Sequence, residues 1–454
     1  MAKSALLALI VALAAGHDVR AQGPAFDGGA LQRRTQLGAV LVEVGDSLLA
    51  RGLPRGAQVR RVLPGSAAAA AGLQAGDVIV RIGADTVTSV AGALAALRPS
   101  VAGAHVALAV VRGGEARKLS FVARERARES SPDFEVVYTA VRAPGGTRRV
   151  LLTHTKDGAR HAAVLLLGGI GCYSIDQADG VNAYRDLMYH LTRQGYSTIR
   201  VEKAGVGDSE GGPCPETDLE TELAGYAAAL GAARSSPWID PARIVLFGHS
   251  IGGIEAPLLA GRDTGGTPVR GVVVLSTFGI SWYEYELANL RRQLRLEHVA
   301  PDSIEREMAL KATCAYRFLL RRESRAALVS AEPRCAPHVD IYPASDAYMQ
   351  QVAAHDPASA WKPVTVPALV LWGASDFITS RDEHVELAEA LNAMHPGQAT
   401  FAEVAGLDHY LSHQASQQAS FDDPLPGLLR PYYGATLEAV LDAWLASLEG
   451  IAHS

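Results

Sequence analysis

Short apolar runs broken by glycine characterise the first part of the chain, and longer apolar runs alternating with amphipathic stretches fill the rest. In the first part, residues 59–63, 77–82 and 106–111 have strand character. Residues 87–97 predict a helix, with Val90, Ala93, Leu94 and Leu97 on one face. The segment 125–133 is charged, contains serine and ends beside Pro132, so it is expected to be a linker, with its Arg and Glu residues in solvent. From Phe134 onward the period changes. Residues 134–141 and 149–155 predict a hairpin turning through Pro144, Gly145 and Gly146, and short strands follow at 163–167, 197–201, 244–247, 271–275, 368–371 and 400–404. Helical segments at 183–194, 219–233 and 381–393 separate them, which predicts a mostly parallel sheet covered by helices. Between 279 and 361 this alternation gives way to a mostly helical insertion, placed as a cap.

The glycine-punctuated part contains Gly65-Ser66-Ala67, Ala71-Gly72-Leu73, Gly76-Asp77-Val78-Ile79 and Ile82-Gly83 in that order. These landmarks resemble a PDZ domain of the kind found in bacterial envelope proteases, a small α+β module placed at residues 35–124. The resemblance assigns Leu37, Gly38, Ala39 and Val40 to the carboxylate loop. There, backbone N–H groups would hold a protein C-terminus while the peptide adds to a sheet edge. Ala39 is smaller than the residue usual in that family. Arg33 and Arg34 are candidates to attract the carboxylate, the alternative being that they belong to a solvated linker.

The richest chemistry lies at Gly248-His249-Ser250-Ile251-Gly252, directly after an apolar strand and before a helical stretch. A serine on such a sharp strand-to-helix turn projects its hydroxyl, and the following N–H at a helix start can face an oxyanion. The pattern occurs twice. Gly207-Asp208-Ser209-Glu210-Gly211 also fits, but Gly212-Pro213 follows and a helix cannot begin at once, so Ser209 is expected to be a loop residue. The order of elements around Ser250 resembles the α/β-hydrolase family over residues 134–454. In that family the acid and then the histidine follow the nucleophile. The resemblance therefore assigns Asp376, on the loop leaving strand 368–371, as the acid, and His409, after strand 400–404, as the base. Asp382 is expected to cap the intervening helix and His413 to face solvent, while His249 is a packing or orienting residue. Oxyanion donors are expected from the N–H of Ile251 and from the loop Gly168-Gly169-Ile170-Gly171, with Ile170 first and Gly169 or Gly171 as alternatives. No Lys-Ser or Lys-Thr follows that loop, which excludes a phosphate-binding P-loop.

Composition narrows the setting. Hydrophobic residues at 48% provide for a large core, and a formal net charge of -6 offers no basic field for nucleic acid. Lys3, the apolar stretch 6–15 and Val19-Arg20-Ala21 read as a signal peptide cleaved after Ala21, the apolar stretch being too short to span a membrane. Export to a periplasm or the cell exterior is expected. In that setting the four cysteines suggest disulfides, and the α/β-hydrolase resemblance would bring Cys172 to Cys214 and Cys314 to Cys335. No C-x-x-C pair suggests a metal among them.

The expectation is an exported serine hydrolase cleaving small carboxylic esters without a cofactor, carrying a PDZ-like peptide-binding domain. Two alternatives stand beside it. One is a peptidase related to serine aminopeptidases, in which Glu284 or Glu286 of the cap would grip a free amine; the bland reading of both is a solvated helix face. The other is a peptide-binding adaptor with an idle hydrolase domain. Trp282, Tyr283 and Tyr285, at the start of the cap, either line an acyl pocket or pack the cap onto the core.

Overall fold

A computed structural model describes residues 25–27, 31–178, 180–263, 266–425 and 427–450, so the expected signal peptide lies outside the described residues. The larger sheet has eight strands. Across the sheet they run Ala399–Val404, Ala368–Gly373, Gly271–Leu275, Ile239–His249, His161–Leu167, Ser197–Val201, Gly146–His154 and Glu135–Ala143. The six from Ala399–Val404 to Ser197–Val201 are parallel, and Gly146–His154 is antiparallel to both of its neighbours.

The inner strands His161–Leu167, Gly271–Leu275 and Ala368–Gly373 read as nearly unbroken apolar runs because both faces are covered. Along His161–Leu167, Ala163, Leu165 and Leu167 enter one core cluster and Val164 and Leu166 the other. The first cluster is closed by Tyr226, Ala229 and Leu230 of helix Leu219–Arg234 and by Leu387 and Leu391 of helix Arg381–Met394. The second is closed by Leu187, Met188 and Leu191 of helix Ala183–Arg193, and by Leu437, Leu441, Leu445 and Leu448 of helix Ala435–Gly450. Strand His161–Leu167 sits between Ser197–Val201 and Ile239–His249, so the chain departs from it in both directions across the sheet. Loops leaving the C-terminal ends of these strands diverge there and open a crevice, the usual ligand position in such sheets. Leu167 pairs with Gly248 and His249 with Leu275, which brings the loop after Leu167 beside Ser250.

Between Gly271–Leu275 and Ala368–Gly373 the chain forms the cap, chiefly helices Trp282–Leu296, Pro301–Ala315 and Asp346–Ala354. Trp282 and Tyr285 are buried with Phe278 against Ile251, Ile254 and Leu258, so these aromatics pack the cap onto the core. Tyr285 stacks on Phe278 at 3.9 Å between ring centroids. Disulfides join Cys172 to Cys214 and Cys314 to Cys335.

The N-terminal module has a six-stranded antiparallel sheet, five strands in the order Ala39–Glu43, Ala57–Val62, Val78–Ile82, His105–Arg112 and Glu115–Val122 and a short one, Asp85–Thr86, paired with Val78–Ile82, with helix Val90–Leu97 capped by Ser89. Ala39–Glu43 is its edge strand.

Two expectations about the segments joining the module to the hydrolase domain fail. Arg33 and Glu129 are 5% exposed, not solvated. Arg33 pairs with Asp176 and, at 2.9 Å, with Asp208; Glu129 accepts from Arg200 at 3.0 Å and from the Tyr189 hydroxyl at 2.8 Å. Arg34 donates its main-chain N–H to Asp208 at 2.9 Å, and Glu125 pairs with Thr35 in a two-stranded ribbon. A charge-rich segment reads as solvated only when its counter-charges are unseen; here they lie far along the chain.

Candidate active site

Strand Ile239–His249 ends at Ser250, and helix Gly252–Arg262 begins two residues later. Ser250 is held at φ +56°, in the left-handed region that costs a non-glycine residue on the order of 1 kcal/mol. The neighbouring glycines make the turn possible. A Cβ at Gly248 would lie 2.2 Å from the Gly252 carbonyl oxygen, and one at Gly252 would lie 2.2 Å from that of Leu167.

The structure brings Ser250, His409 and Asp376 into one hydrogen-bonded line. His409 Nε2 lies 3.2 Å from Ser250 Oγ, and His409 Nδ1 lies 2.9 Å from Asp376 Oδ2. Asp376 is fully buried and also accepts from the N–H groups of Ile378 at 2.7 Å and Thr379 at 3.0 Å, and from the Thr379 hydroxyl at 2.6 Å. Burial alone would raise its pKa, but the adjacent His409 and these hydrogen bonds more than offset that and hold it well below the usual carboxylate range. The helix after Asp376 is capped by Ser380 with Glu383 completing the capping box, so Asp382 is a first-turn residue and not the expected cap. His413 is exposed, and Ser209 is a buried loop residue whose hydroxyl accepts from the Arg149 N–H at 2.9 Å.

His249 has a definite orienting geometry. It donates from Nε2 to the His409 carbonyl at 2.8 Å and accepts at Nδ1 from the Tyr184 hydroxyl at 2.6 Å. Burial, assisted by His409, pushes its pKa down to about 3, so it stays neutral in this tautomer. Asp408 shapes the same loop from beneath, accepting from the N–H groups of Tyr410 and Ser412, both at 2.9 Å, and from Arg430 at 2.6 Å.

Of the loop after Leu167, the Gly169 N–H is occupied by the Tyr184 hydroxyl at 2.8 Å and the Gly168 N–H faces that of Tyr226 at 3.3 Å. Among the described residues the N–H groups of Ile170, Gly171 and Ile251 make no hydrogen bond, which removes Gly169 as the loop's donor and leaves Ile170 with Gly171 as the alternative. A Cβ at Gly169 would lie 3.5 Å from that of Ser250, so the loop runs directly alongside the serine. Tyr184, Asp408 and Arg430 carried no signal in the local sequence, since each meets the site through a tertiary contact.

The expected amine grips are otherwise engaged. Glu284 closes the capping box of helix Trp282–Leu296. Glu286, contrary to the solvated reading, is 5% exposed and pairs with Lys311 at 2.5 Å and the Tyr342 hydroxyl at 2.9 Å. In the N-terminal module, Leu37 is buried and Gly38 adopts φ +78°; a Cβ on Gly38 would lie 2.2 Å from that of Ser66. Ala39 and Val40 open the edge strand, pairing with Val62 and Arg61. Among the described residues no group of three or more potential metal ligands occurs, and no helix is long and apolar enough to cross a membrane.

Residues 160–414 match the family model described as serine aminopeptidase, S33, and residues 30–111 match the PDZ domain model. Among curated proteins the chain is 24% identical over 255 residues to esterase EstD of Thermotoga maritima, covering 52% of each chain. It is 37% identical over 70 residues to the quorum-quenching protein AidA of Acinetobacter baumannii, covering 15% of this chain and 23% of AidA. The chain thus spans about half the length of EstD and less of AidA. Among solved structures, the carboxylesterase EstE1 from a metagenomic library aligns with a TM-score of 0.43 at 17% identity, covering 71% of this chain and 90% of EstE1. With the eight-stranded sheet and the matched span, which exceeds half of its length, the chain belongs to the serine aminopeptidase S33 family of α/β-hydrolases and carries an N-terminal PDZ domain.

Proposed function

We propose that this protein is an exported serine hydrolase that cleaves small carboxylic esters, with Ser250 as nucleophile, His409 as general base and Asp376 as the acid. The observation that carries this reading is the line Asp376–His409–Ser250 beside the two unengaged N–H groups of Ile170 and Ile251. His409 Nε2 takes the Ser250 proton as Oγ attacks the ester carbonyl, and the resulting oxyanion is met by the two N–H groups. The same proton passes to the departing alcohol, leaving an acyl-serine. Water, deprotonated by His409, then releases the acid and restores Ser250. Asp376 keeps Nδ1 protonated and stabilises the imidazolium.

Ester cleavage is preferred to aminopeptidase action because Glu284 and Glu286 are already partnered, and an amine grip would have to break a capping box or a buried ion pair. Export to a periplasm or beyond, with cleavage after Ala21, is supported by the leader-like sequence and is compatible with two disulfides. The PDZ domain is proposed to receive protein C-termini at Leu37, Gly38, Ala39 and Val40, where the main-chain N–H groups of Leu37 and Gly38 are unengaged among the described residues.

The deciding experiment is turnover of p-nitrophenyl esters from C2 to C12, together with fluorophosphonate labelling, in the mature protein and Ser250→Ala. Turnover and labelling are expected to vanish in the variant. An aminoacyl arylamide cleaved faster than every ester would instead identify a peptidase, and C-terminal peptide binding by a protein that neither labels nor turns over would identify an adaptor.

A further inference from the structure

The Gly169 carbonyl, on the loop beside Ser250, is held in a largely buried polar cluster. Lys203 donates to it from Nζ at 2.8 Å and the Tyr173 hydroxyl at 3.0 Å. Since a peptide unit is planar and trans, holding the Gly169 oxygen on one side aims the Ile170 N–H to the other. The N–H of Gly169 is tied to Tyr184, so the residue before that peptide is also held.

Lys203 is itself fixed. Its ammonium pairs with Glu222 at 2.6 Å, and the two side chains are 8% and 6% exposed. Next to Glu222 lies Glu255, completely buried on the helix that Ser250 leads into. Burial first, and then the charge of Glu222, push the Glu255 pKa well above its ordinary range, with Lys203 opposing. Glu255 thus favours its protonated form. The cluster runs from the Gly169 loop to the elbow helix, the two elements that bear the Ile170 and Ile251 N–H groups. A buried lysine and two buried glutamates are expensive to retain for packing alone.

We propose that Lys203, braced by Glu222 and Glu255, is a positioning residue that sets the Gly169–Ile170 peptide so that the Ile170 N–H meets the oxyanion formed at Ser250. The inference rests on the Ser250 hydrolase reading. Lys203 touches neither substrate nor reacting atoms; it acts through one main-chain carbonyl. Removing its amine leaves Tyr173 as the sole side chain, among the described residues, donating to that carbonyl. The aim of the N–H then loosens, and with it a donor that is useful only in the transition state.

The test compares Lys203→Met, Lys203→Arg and the charge-balanced double variant Lys203→Met/Glu222→Gln with the parent and with Ser250→Ala, using p-nitrophenyl butyrate. The expected result for the Met variants is a fall in kcat of roughly 10- to 100-fold with KM nearly unchanged. Inhibition by a trifluoromethyl ketone, whose serine adduct carries the same oxyanion, should weaken by a similar factor. Lys203→Arg, which keeps a charged donor, should recover part of both. The double variant leaves no buried charge unpaired and keeps the comparison available if the single one does not fold. Turnover lost in Ser250→Ala but unchanged in folded Lys203 variants, or a rise in KM with kcat intact, overturns this inference alone. Turnover surviving Ser250→Ala overturns the Ser250 reading and this inference with it.

Discussion

At the residue scale, three buried histidines within electrostatic reach of Asp376 differ in what their partners let them do. His249 and His384 each have both ring nitrogens engaged: His384 accepts the Thr277 N–H at 3.0 Å and faces the Ser380 carbonyl at 2.7 Å. Burial pushes its pKa down to about 4, and that of His249 to about 3. His409 alone faces a carboxylate on one side and a hydroxyl on the other. Only His409 is then placed to exchange a proton with Ser250, the proposed nucleophile. Asp376, its pKa depressed, stays ionised while the pH falls through the range in which a histidine takes up a proton. The acid limb of kcat/KM is therefore expected to be a single ionisation, activity falling as pH falls, with its midpoint unmoved by His384→Asn. Two ionisations, or a shifted midpoint in that variant, would contradict this assignment. Asp376→Asn should lower kcat by roughly 1,000- to 10,000-fold, because an amide lacks the charge that stabilises the imidazolium and does not enforce the tautomer. Stopped-flow turnover on an activated ester measures it.

At the element scale, the two disulfides secure different parts of the crevice. Cys172–Cys214 ties the segment following the Gly169 loop to the turn before helix Leu219–Arg234, and Cys314–Cys335 closes the cap on itself. Replacing Cys314 and Cys335 together by alanine is expected to cost roughly 2–4 kcal/mol of stability and to broaden the acyl-chain profile. The rate on the acetyl ester should hold, since the proposed triad stands on other elements. Thermal melting and the C2 to C12 panel read the two effects separately. Elements buried on both faces were legible in the sequence: Gly271–Leu275 is apolar throughout, and both it and Ser197–Val201, where Ile199 and Val201 stand among buried Ser197, Thr198 and Arg200, lie at the residues expected. Glu115–Val122 was not, because most of its residues are exposed and charged or polar and only the pairing with His105–Arg112 makes it a strand. Helix Ala435–Gly450 escaped too, although Leu437, Leu441, Leu445 and Leu448 recur every three or four residues. The positions of Ser250, Asp376 and His409 were legible because each follows a strand within a few residues. Lys203, Glu222 and Glu255 were not, because what makes them a unit is contact between separate elements.

At the scale of the whole molecule, the PDZ domain and the hydrolase domain meet through buried charge. Arg98, at the end of the PDZ helix Val90–Leu97, donates to the Gly211 carbonyl at 2.7 Å, and Arg126 donates to the Ser174 hydroxyl at 2.5 Å. Beneath them lies Glu202, 1% exposed, with Arg126 3.9 Å away and the Ile175 N–H at 3.4 Å. Gly207 packs on this pair: a Cβ there would lie 2.3 Å from Glu202 Oε1 and 2.7 Å from Arg126 Nη1, so this glycine of the second G-x-S-x-G serves the junction. Burial pushes the Glu202 pKa up to about 7, with Arg126 opposing and Asp176 reinforcing. A carboxyl whose folded pKa lies above its unfolded one keeps its proton in the folded chain after the unfolded chain has lost it. Stability then falls as the pH rises from the unfolded value to the folded one, and levels off beyond. For Glu202 that window runs from the ordinary glutamate range to about pH 7, and the loss across it is worth roughly 3 kcal/mol. Glu202→Gln keeps the shape and one acceptor but cannot ionise. Its urea midpoint should therefore match or trail the parent's at about pH 5 and exceed it at about pH 8, the gap opening between them. Parallel midpoints across that range would mean that Glu202 is ionised throughout and that Arg126 holds it as a charged pair across the domain junction.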